Sequence, residues 1–230
     1  EVVTDKDEFN RILESEKVLQ KMTKSNITAE SYFKASEEVK NNFTNELEKY
    51  INLENKNPLE LIDVGHITPV MKLIGIPDLP IKMTQSVVTK AMRQEPKFQD
   101  EKHGHELTLE ELKLIPQLLS DPIMIFKSDS PTRKTRDSYI FFTEHRDSKG
   151  RSVIIPLAVN QKYGRLTINK INSIYGRNEE VGYVKENILR GNLVYFDKKR
   201  SLAWERECKV QFLAQVLPKQ DSIRSILSKD

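Results

Sequence analysis

His105 closes the triplet His103–Gly104–His105 and stands just before Thr108 and Glu111, a pair with the spacing of a helix capping box. It is therefore expected in the loop or first turn that leads into a helix. An imidazole there can take or give a proton near neutral pH, which is what deprotonating a hydroxyl or protonating a leaving oxygen requires. A loop histidine making a local hydrogen bond is the ordinary alternative, and His103 is the nearest rival for the role. His-x-His spacing can also begin a metal site. Zinc, however, needs three or four ligands, and His66, His145 and the single Cys208 lie far off in sequence. No metal and no cofactor is expected.

A second constellation lies at Ser173, Tyr175 and Arg177, which alternate. If the segment 168–177 is extended, the three share one face, away from Ile174. A hydroxyl, a phenol and a guanidinium on one face suit a phosphate, with Arg177 offering two parallel N–H donors to the charge on its oxygens as a pentacovalent phosphorane forms. A merely polar sheet face is the plain alternative. Lys90, on an expected helix after Thr84, is a further phosphate candidate, although a lone helical lysine is usually just solvated. The run Lys198–Lys199–Arg200 could touch a nucleic-acid backbone or simply keep the surface soluble. Trp204, near Leu202 and Phe212, reads as core rather than as a stacking platform. The chain has no Gly-rich dinucleotide or Walker-type phosphate loop, no Gly-x-Ser-x-Gly and no His-Glu-x-x-His, so nucleotide-dependent, α/β-hydrolase and zinc-protease chemistry lack support.

These residues need elements to hold them. Phe9, Ile12, Leu13, Val18, Leu19 and Met22 mark one face of a helix over about 5–21, and Tyr32, Val39, Phe43, Leu47, Tyr50 and Ile51 mark a second, which Asn26 or Thr28 could cap. Together they predict an N-terminal helical hairpin or stalk over residues 1–57, closed by a linker at 52–58. From residue 58 to 230 a single α+β domain is expected. Turn residues at 63–66 precede a short helix near 69–73, a short strand at 80–83 and a helix from Thr84. The capping box then opens a longer helix carrying Leu109, Leu112, Ile115, Leu118 and Leu119. Strands follow at 123–126, 139–144, 152–159 and 166–175, the last either one strand or a strand with a turn. A helix at 179–189 stops at Gly191, and residues 193–196 could return to the sheet. Helices first and a mainly antiparallel sheet after is the α+β pattern.

The bulk composition agrees. With 37% hydrophobic and 31% charged residues, 9 Phe and 7 Tyr, the chain can bury a core beneath a heavily solvated surface. No apolar run approaches the roughly 20 residues of a membrane helix, so membrane insertion is not expected. A single cysteine leaves no internal disulfide and favours a reducing compartment. Residues 1–57 carry 9 basic and 12 acidic side chains, and residues 58–230 carry 28 and 22, a net of +6 that could attract phosphates.

Four blocks carry a resemblance. The stretch 64–80 (VGHITPVMKLIGIPDLP) continued by 81–90 (IKMTQSVVTK), then 105–128 (HELTLEELKLIPQLLSDPIMIFKS), 147–160 (DSKGRSVIIPLAVN) and 168–177 (INKINSIYGR) occur in the order of the phage MuF C-terminal domain family. The region 59–219 resembles that domain, while the helical first quarter lies outside the resemblance and is expected to be a spacer from a longer protein. By fold-level analogy the family is similar to metal-independent ribonucleases of the barnase, EndoU, colicin and RelE type. The resemblance implies a toxin-like ribonuclease acting by general acid/base transphosphorylation. His105 would be acid or base, and Ser173, Tyr175, Arg177 and Lys90 would serve the scissile phosphate. It implies an RNA substrate, a cognate immunity protein, and action in a bacterial cytoplasm by a protein that is virion-associated or delivered to a target cell. The competing expectation is a non-catalytic module of a phage virion protein, with the N-terminal helices contacting another chain.

Overall fold

A computed structural model describes residues 29–93, 105–128 and 137–213. In chain order its elements are α1 (Ala29–Ile51), β1 (Leu61–Gly65), α2 (Pro69–Leu73), β2 (Ile81–Thr84), α3 (Gln85–Met92), α4 (Leu109–Lys113), α5 (Ile115–Ser120) and β3 (Met124–Lys127). They are followed by β4 (Ser138–Arg146), β5 (Ser152–Tyr163), β6 (Leu166–Ile171), β7 (Tyr175–Gly176), α6 (Glu180–Leu189), β8 (Leu193–Phe196) and α7 (Lys198–Glu207). The sheet runs β1-β2-β6-β5-β4-β3-β8, with β7 pairing β5 off that path. Every pairing is antiparallel except β2 with β6, so the sheet is mixed but mainly antiparallel, as an α+β reading requires.

The long central strand shows why. Residues 152–159 (SVIIPLAV) are buried without a break, the pattern of a strand covered on both faces rather than one half-wetted by solvent. Alternate side chains divide between two cores, as the two-residue period of a strand demands. Val153, Ile155 and Leu157 enter one core with Phe43, Leu47, Val88, Leu112 and Leu119, while Ile154 enters the other with Val184, Ile188 and Trp204. Helices α1, α3, α4 and α5 therefore line one face, and α6 and α7 the other. Trp204 is 3% exposed and meets Phe142 and Phe212 edge-on, at ring-centroid distances of 5.4 and 6.4 Å. This is the packing role its neighbours predicted.

The N-terminal hairpin is not established. Its first helix and the proposed caps Asn26 and Thr28 lie outside the described residues. The second helix, α1, is no free stalk: Phe43, Leu47 and Tyr50 are buried in the same core as Ile62 and Val64 of β1. Gly65 permits this approach, because a Cβ there would stand 2.4 Å from Val39 Cγ1, and its φ of +125° is open to glycine alone.

Other departures have local causes. The turn expected at 63–66 is the end of β1, whose Asp63 pairs with Lys82 of β2 in the strand register. The capping box of Thr108 and Glu111 is present in both directions, but the helix behind it breaks at Leu114 into α4 and α5, with Pro116 in the first turn of α5 where its missing N–H costs little. Thr84 occupies the N-cap position of α3 without capping it, since its hydroxyl meets Ser86 Oγ at 2.8 Å. The basic run Lys198–Arg200 opens α7 behind the cap Asp197, which accepts from Arg200 N at 3.0 Å.

Candidate functional site

The site is built on the turn between β4 and β5. Asp147 is almost fully buried, and its Oδ1 accepts from the backbone N–H of Lys149 (3.0 Å) and Arg151 (2.9 Å) while Oδ2 accepts from Arg151 Nε (2.7 Å). Arg151 also donates to Asn178 Oδ1 at 3.2 Å, tying the turn to the chain just past β7. Gly176 lies between them. A Cβ at this position would sit 1.9 Å from Asp147 Oδ2, so glycine is what lets the carboxylate lie against the strand. Buried ion pairs of this kind hold geometry when their remaining hydrogen-bonding capacity is filled. Here they hold the segment that carries Tyr175 and Arg177.

That segment is extended only in part. Strand β6 ends at Ile171, and β7 is just Tyr175–Gly176, registered on Ile154 and Val153, with Arg177 N donating to Ser152 O at 2.9 Å. The alternation expected from sequence nevertheless holds in burial: Ile174 and Gly176 are buried, while Ser173, Tyr175 and Arg177 are half-exposed. Tyr175 packs beside the core under α6 and α7, and Ile174 enters the opposite one.

His105 comes to this place on the loop that leads into α4. Its loop is fastened by backbone bonds from Glu106 N to Arg93 O and from Leu107 N to Ala91 O, and by the capping box behind it. Lys149 of the β4–β5 turn pairs with Glu106 at 3.0 Å. The imidazole stacks on Tyr175, ring centroids 5.1 Å apart and planes 29° from parallel. The Arg177 guanidinium lies over the ring of Tyr183 on α6, 4.2 Å from its centroid, a cation–π contact. Arg177 Nε and the Tyr183 hydroxyl are buried and have no hydrogen-bond partner among the described residues. Burial pushes the Tyr183 phenol well above the ordinary tyrosine range. Tyr175 adds to that shift and Arg177 opposes it, so Tyr183 remains a neutral O–H donor. Tyr183 was not singled out from sequence, because four residues into a helix it carries no motif.

Glu180, at the start of α6, fixes that helix to the same turn. Its Oε2 accepts from Ser152 N (2.7 Å), and its Oε1 from Arg146 (3.0 Å), Trp204 Nε1 (3.3 Å) and Cys208 Sγ (3.2 Å). Burial would raise this carboxyl, but the hydrogen bonds from Ser152, Cys208 and Arg146 outweigh it and hold the pKa below the usual glutamate value. The same surroundings push the Cys208 thiol up to about 11, through burial and then the adjacent carboxylate. Cys208 is a half-buried, protonated thiol.

The remaining candidates stand elsewhere. Ser173 lies in the connection between β6 and β7, two residues before Tyr175, half-exposed and without a described contact to His105 or Arg177. Lys90 is exposed on α3, and no described contact joins it to the cluster. His145 is half-buried, with Nε2 3.7 Å from Glu111. Arg200 is held by Asp121 and Glu144, both within 3 Å. His66, exposed, borders a cavity of about 150 Å³ between α1, α5 and β1. His103 lies outside the described residues. Among the described residues, no group of three His, Cys, Asp or Glu side chains is placed to hold a metal ion, and no helix is long and apolar enough to cross a membrane.

No curated protein and no solved structure matches the chain. A family model does, over a range shifted from that of the motif blocks: it begins at residue 96, leaving out Lys90 and the 64–90 stretch, and runs past the last block to residue 203. Residues 96–203, which hold His105, Tyr175, Arg177 and Tyr183, match the family model of the phage MuF-C-terminal domain, the family to which the motif blocks pointed.

Proposed function

We propose that this domain is a metal-independent ribonuclease of a phage or prophage, cleaving RNA by general acid/base transphosphorylation. The observation that carries the proposal is the joining of His105 and Tyr175 in one stack at 5.1 Å, with Arg177 two residues further on. On this reading the stack sets His105, as the proton-transfer group, beside the segment that carries Arg177, as the phosphate-binding group.

In such a reaction the 2′-oxygen bonds to phosphorus as the bond to the 5′-oxygen breaks, leaving a 2′,3′-cyclic phosphate and a 5′-hydroxyl. One proton leaves the 2′-hydroxyl and one is gained by the 5′-oxygen. His105 serves one of these transfers. Arg177 stabilises the charge on the phosphorane oxygens, with Ser173 and Tyr175 offering hydroxyls on the same side. Tyr183 supports the guanidinium from below. Two buried polar atoms without partners, Arg177 Nε and Tyr183 Oη, are costly in a folded protein. A substrate oxyanion admitted between them would satisfy both. Lys90 stays a secondary phosphate candidate.

The test is cleavage of mixed single-stranded RNA by the purified chain in excess chelator, beside His105→Ala. The expected result is a cyclic-phosphate product from the wild type and its loss in the variant, which should keep its unfolding midpoint. An inert wild-type chain, or activity that needs an added divalent ion, would overturn the mechanism. The non-catalytic alternative, a module of a phage virion-associated protein, would then be the reading to pursue. A toxic activity would also imply an immunity protein. Tolerated expression of His105→Ala where the wild type arrests bacterial growth is the corresponding cellular result.

A further inference from the structure

The chain contains no Asp or Glu between Asp147 and Glu179, while Lys149, Arg151, Lys162, Arg165, Lys170 and Arg177 all fall within that interval. This interval is the whole of β5, β6 and β7. In the fold it becomes a strip with the candidate site at one end and the β5–β6 hairpin tip at the other. Lys149 and Arg151 are paired at the site end, with Glu106 and Asp147. At the tip, Lys162 and Arg165 are exposed and form no ion pair with a described residue. Between the ends, Lys170 of β6 stands directly opposite Lys82 of β2 in the parallel register. Like charges so placed are destabilising, and the fold restrains them individually: Lys82 meets Asp63 at 2.7 Å, and Lys170 lies over the Tyr163 ring, 5.3 Å from its centroid. Tyr163 is itself anchored, its hydroxyl donating to Leu59 O.

We propose that the hairpin tip, through Lys162 and Arg165, is a second contact for single-stranded RNA, engaging the backbone of the strand whose scissile phosphate lies at Arg177. This inference rests on the ribonuclease reading. From Ile154, which registers with Tyr175, to Lys162 is eight residues of strand, about 26 Å at 3.3 Å per residue. The tip is therefore beyond the reach of a dinucleotide and within reach of an oligonucleotide. Leu59 and Leu166, 67% and 51% exposed beside the tip, are features of a protein contact. The cations favour RNA, since they and not the leucines continue along the strip toward Arg177.

The experiment compares a dinucleotide with a mixed-sequence single-stranded RNA of roughly a dozen nucleotides, on the wild-type chain and on Lys162→Ala/Arg165→Ala. Binding is measured in parallel with Arg177→Ala and a range of salt. The double variant should leave dinucleotide kcat/KM unchanged. It should raise the KM of the longer RNA about tenfold with kcat intact. The salt slope of its binding should fall by about 1.4, since each cation that neutralises a single-strand phosphate contributes about 0.7. If the wild type cleaves the dinucleotide, but the longer RNA gains nothing or the double variant keeps that gain, the tip assignment falls and the ribonuclease reading stands. If the wild type acts on neither RNA, both fall together. Weakened binding of poly-L-glutamate by the double variant, with RNA kinetics unchanged, would assign the tip to an acidic protein partner instead.

Discussion

A chain beginning at Asn57 should fail to fold, even though the sequence pattern before that point reads as a detachable helical spacer. The reason is the face that α1 turns to β1. Phe43, Leu47 and Tyr50 are 1, 0 and 3% exposed. Burying a large side chain fully contributes about 1.5–3 kcal/mol, so the three supply roughly 5–9 kcal/mol. Some of that is already present in a compact unfolded chain. The truncation also removes the bond between Tyr50 and Thr89 (2.6 Å), the acceptor Glu46 for Asp63 N (2.8 Å) and the Glu48 partner of Lys113 (2.7 Å). It further uncovers Ile62 and Val64 of β1. Against a typical total of about 5–15 kcal/mol, a loss of this size leaves little or nothing. The assay is urea unfolding followed by circular dichroism, with Phe43→Ala in the full chain as a graded control expected to lose about 3–5 kcal/mol. A cooperative transition for the chain from Asn57, with a midpoint near that of the full chain, would refute the reasoning and show that α1 packs without supporting the core.

Three further outcomes follow from the geometry. Arg177→Ala should slow RNA cleavage by on the order of 10²–10³ with little change in melting temperature, and Arg177→Lys should recover only part of it, since an ammonium cannot present two parallel donors. Ser173→Ala and Tyr175→Phe should each cost less, and turnover untouched by Arg177→Ala would remove the phosphate role. Glu180 has a folded-state pKa below its unfolded value, so its contacts add stability that is fully present above the ordinary glutamate pKa and is lost as pH falls through the lower folded value. Glu180→Gln should therefore be less stable than wild type at neutral pH, with the gap closing on acidification; thermal melts showing a constant gap down to strongly acidic pH would contradict this. Gly176→Ala should lower stability by several kcal/mol, because its methyl group would overlap the Asp147 carboxylate, and a melting temperature within a degree or two of wild type would show that the turn yields easily.

The sequence by itself determined those features that rest on short-range rules. The capping box at Thr108 and Glu111, the strands at 123–126 and 152–159 and the helix stopped before Gly191 all follow from local backbone preference and side-chain period. Strand β1 escaped notice because Asp63 and Gly65 look like turn residues until a neighbouring strand supplies Lys82 and a helix crosses above. Helix α7 was hidden because its first turn is a run of cations, of which Arg200 is held by Asp197, Asp121 and Glu144, the last two brought to it by the fold. The tertiary structure alone decided that α1 closes the core, since its apolar face is the same whether it meets a sheet or a second helix. It also decided the composition of the candidate site. His105, Tyr175 and Tyr183 lie on a loop, a two-residue strand and a helix, and no spacing along the chain encodes a ring stack or a guanidinium over a phenol. Asp147 and Gly176 are twenty-nine positions apart, and the need for glycine appears only where the carboxylate comes to rest against the strand. Contacts of that kind depend on how the two cores set the sheet between them, which is a property of the packed chain and not of any segment.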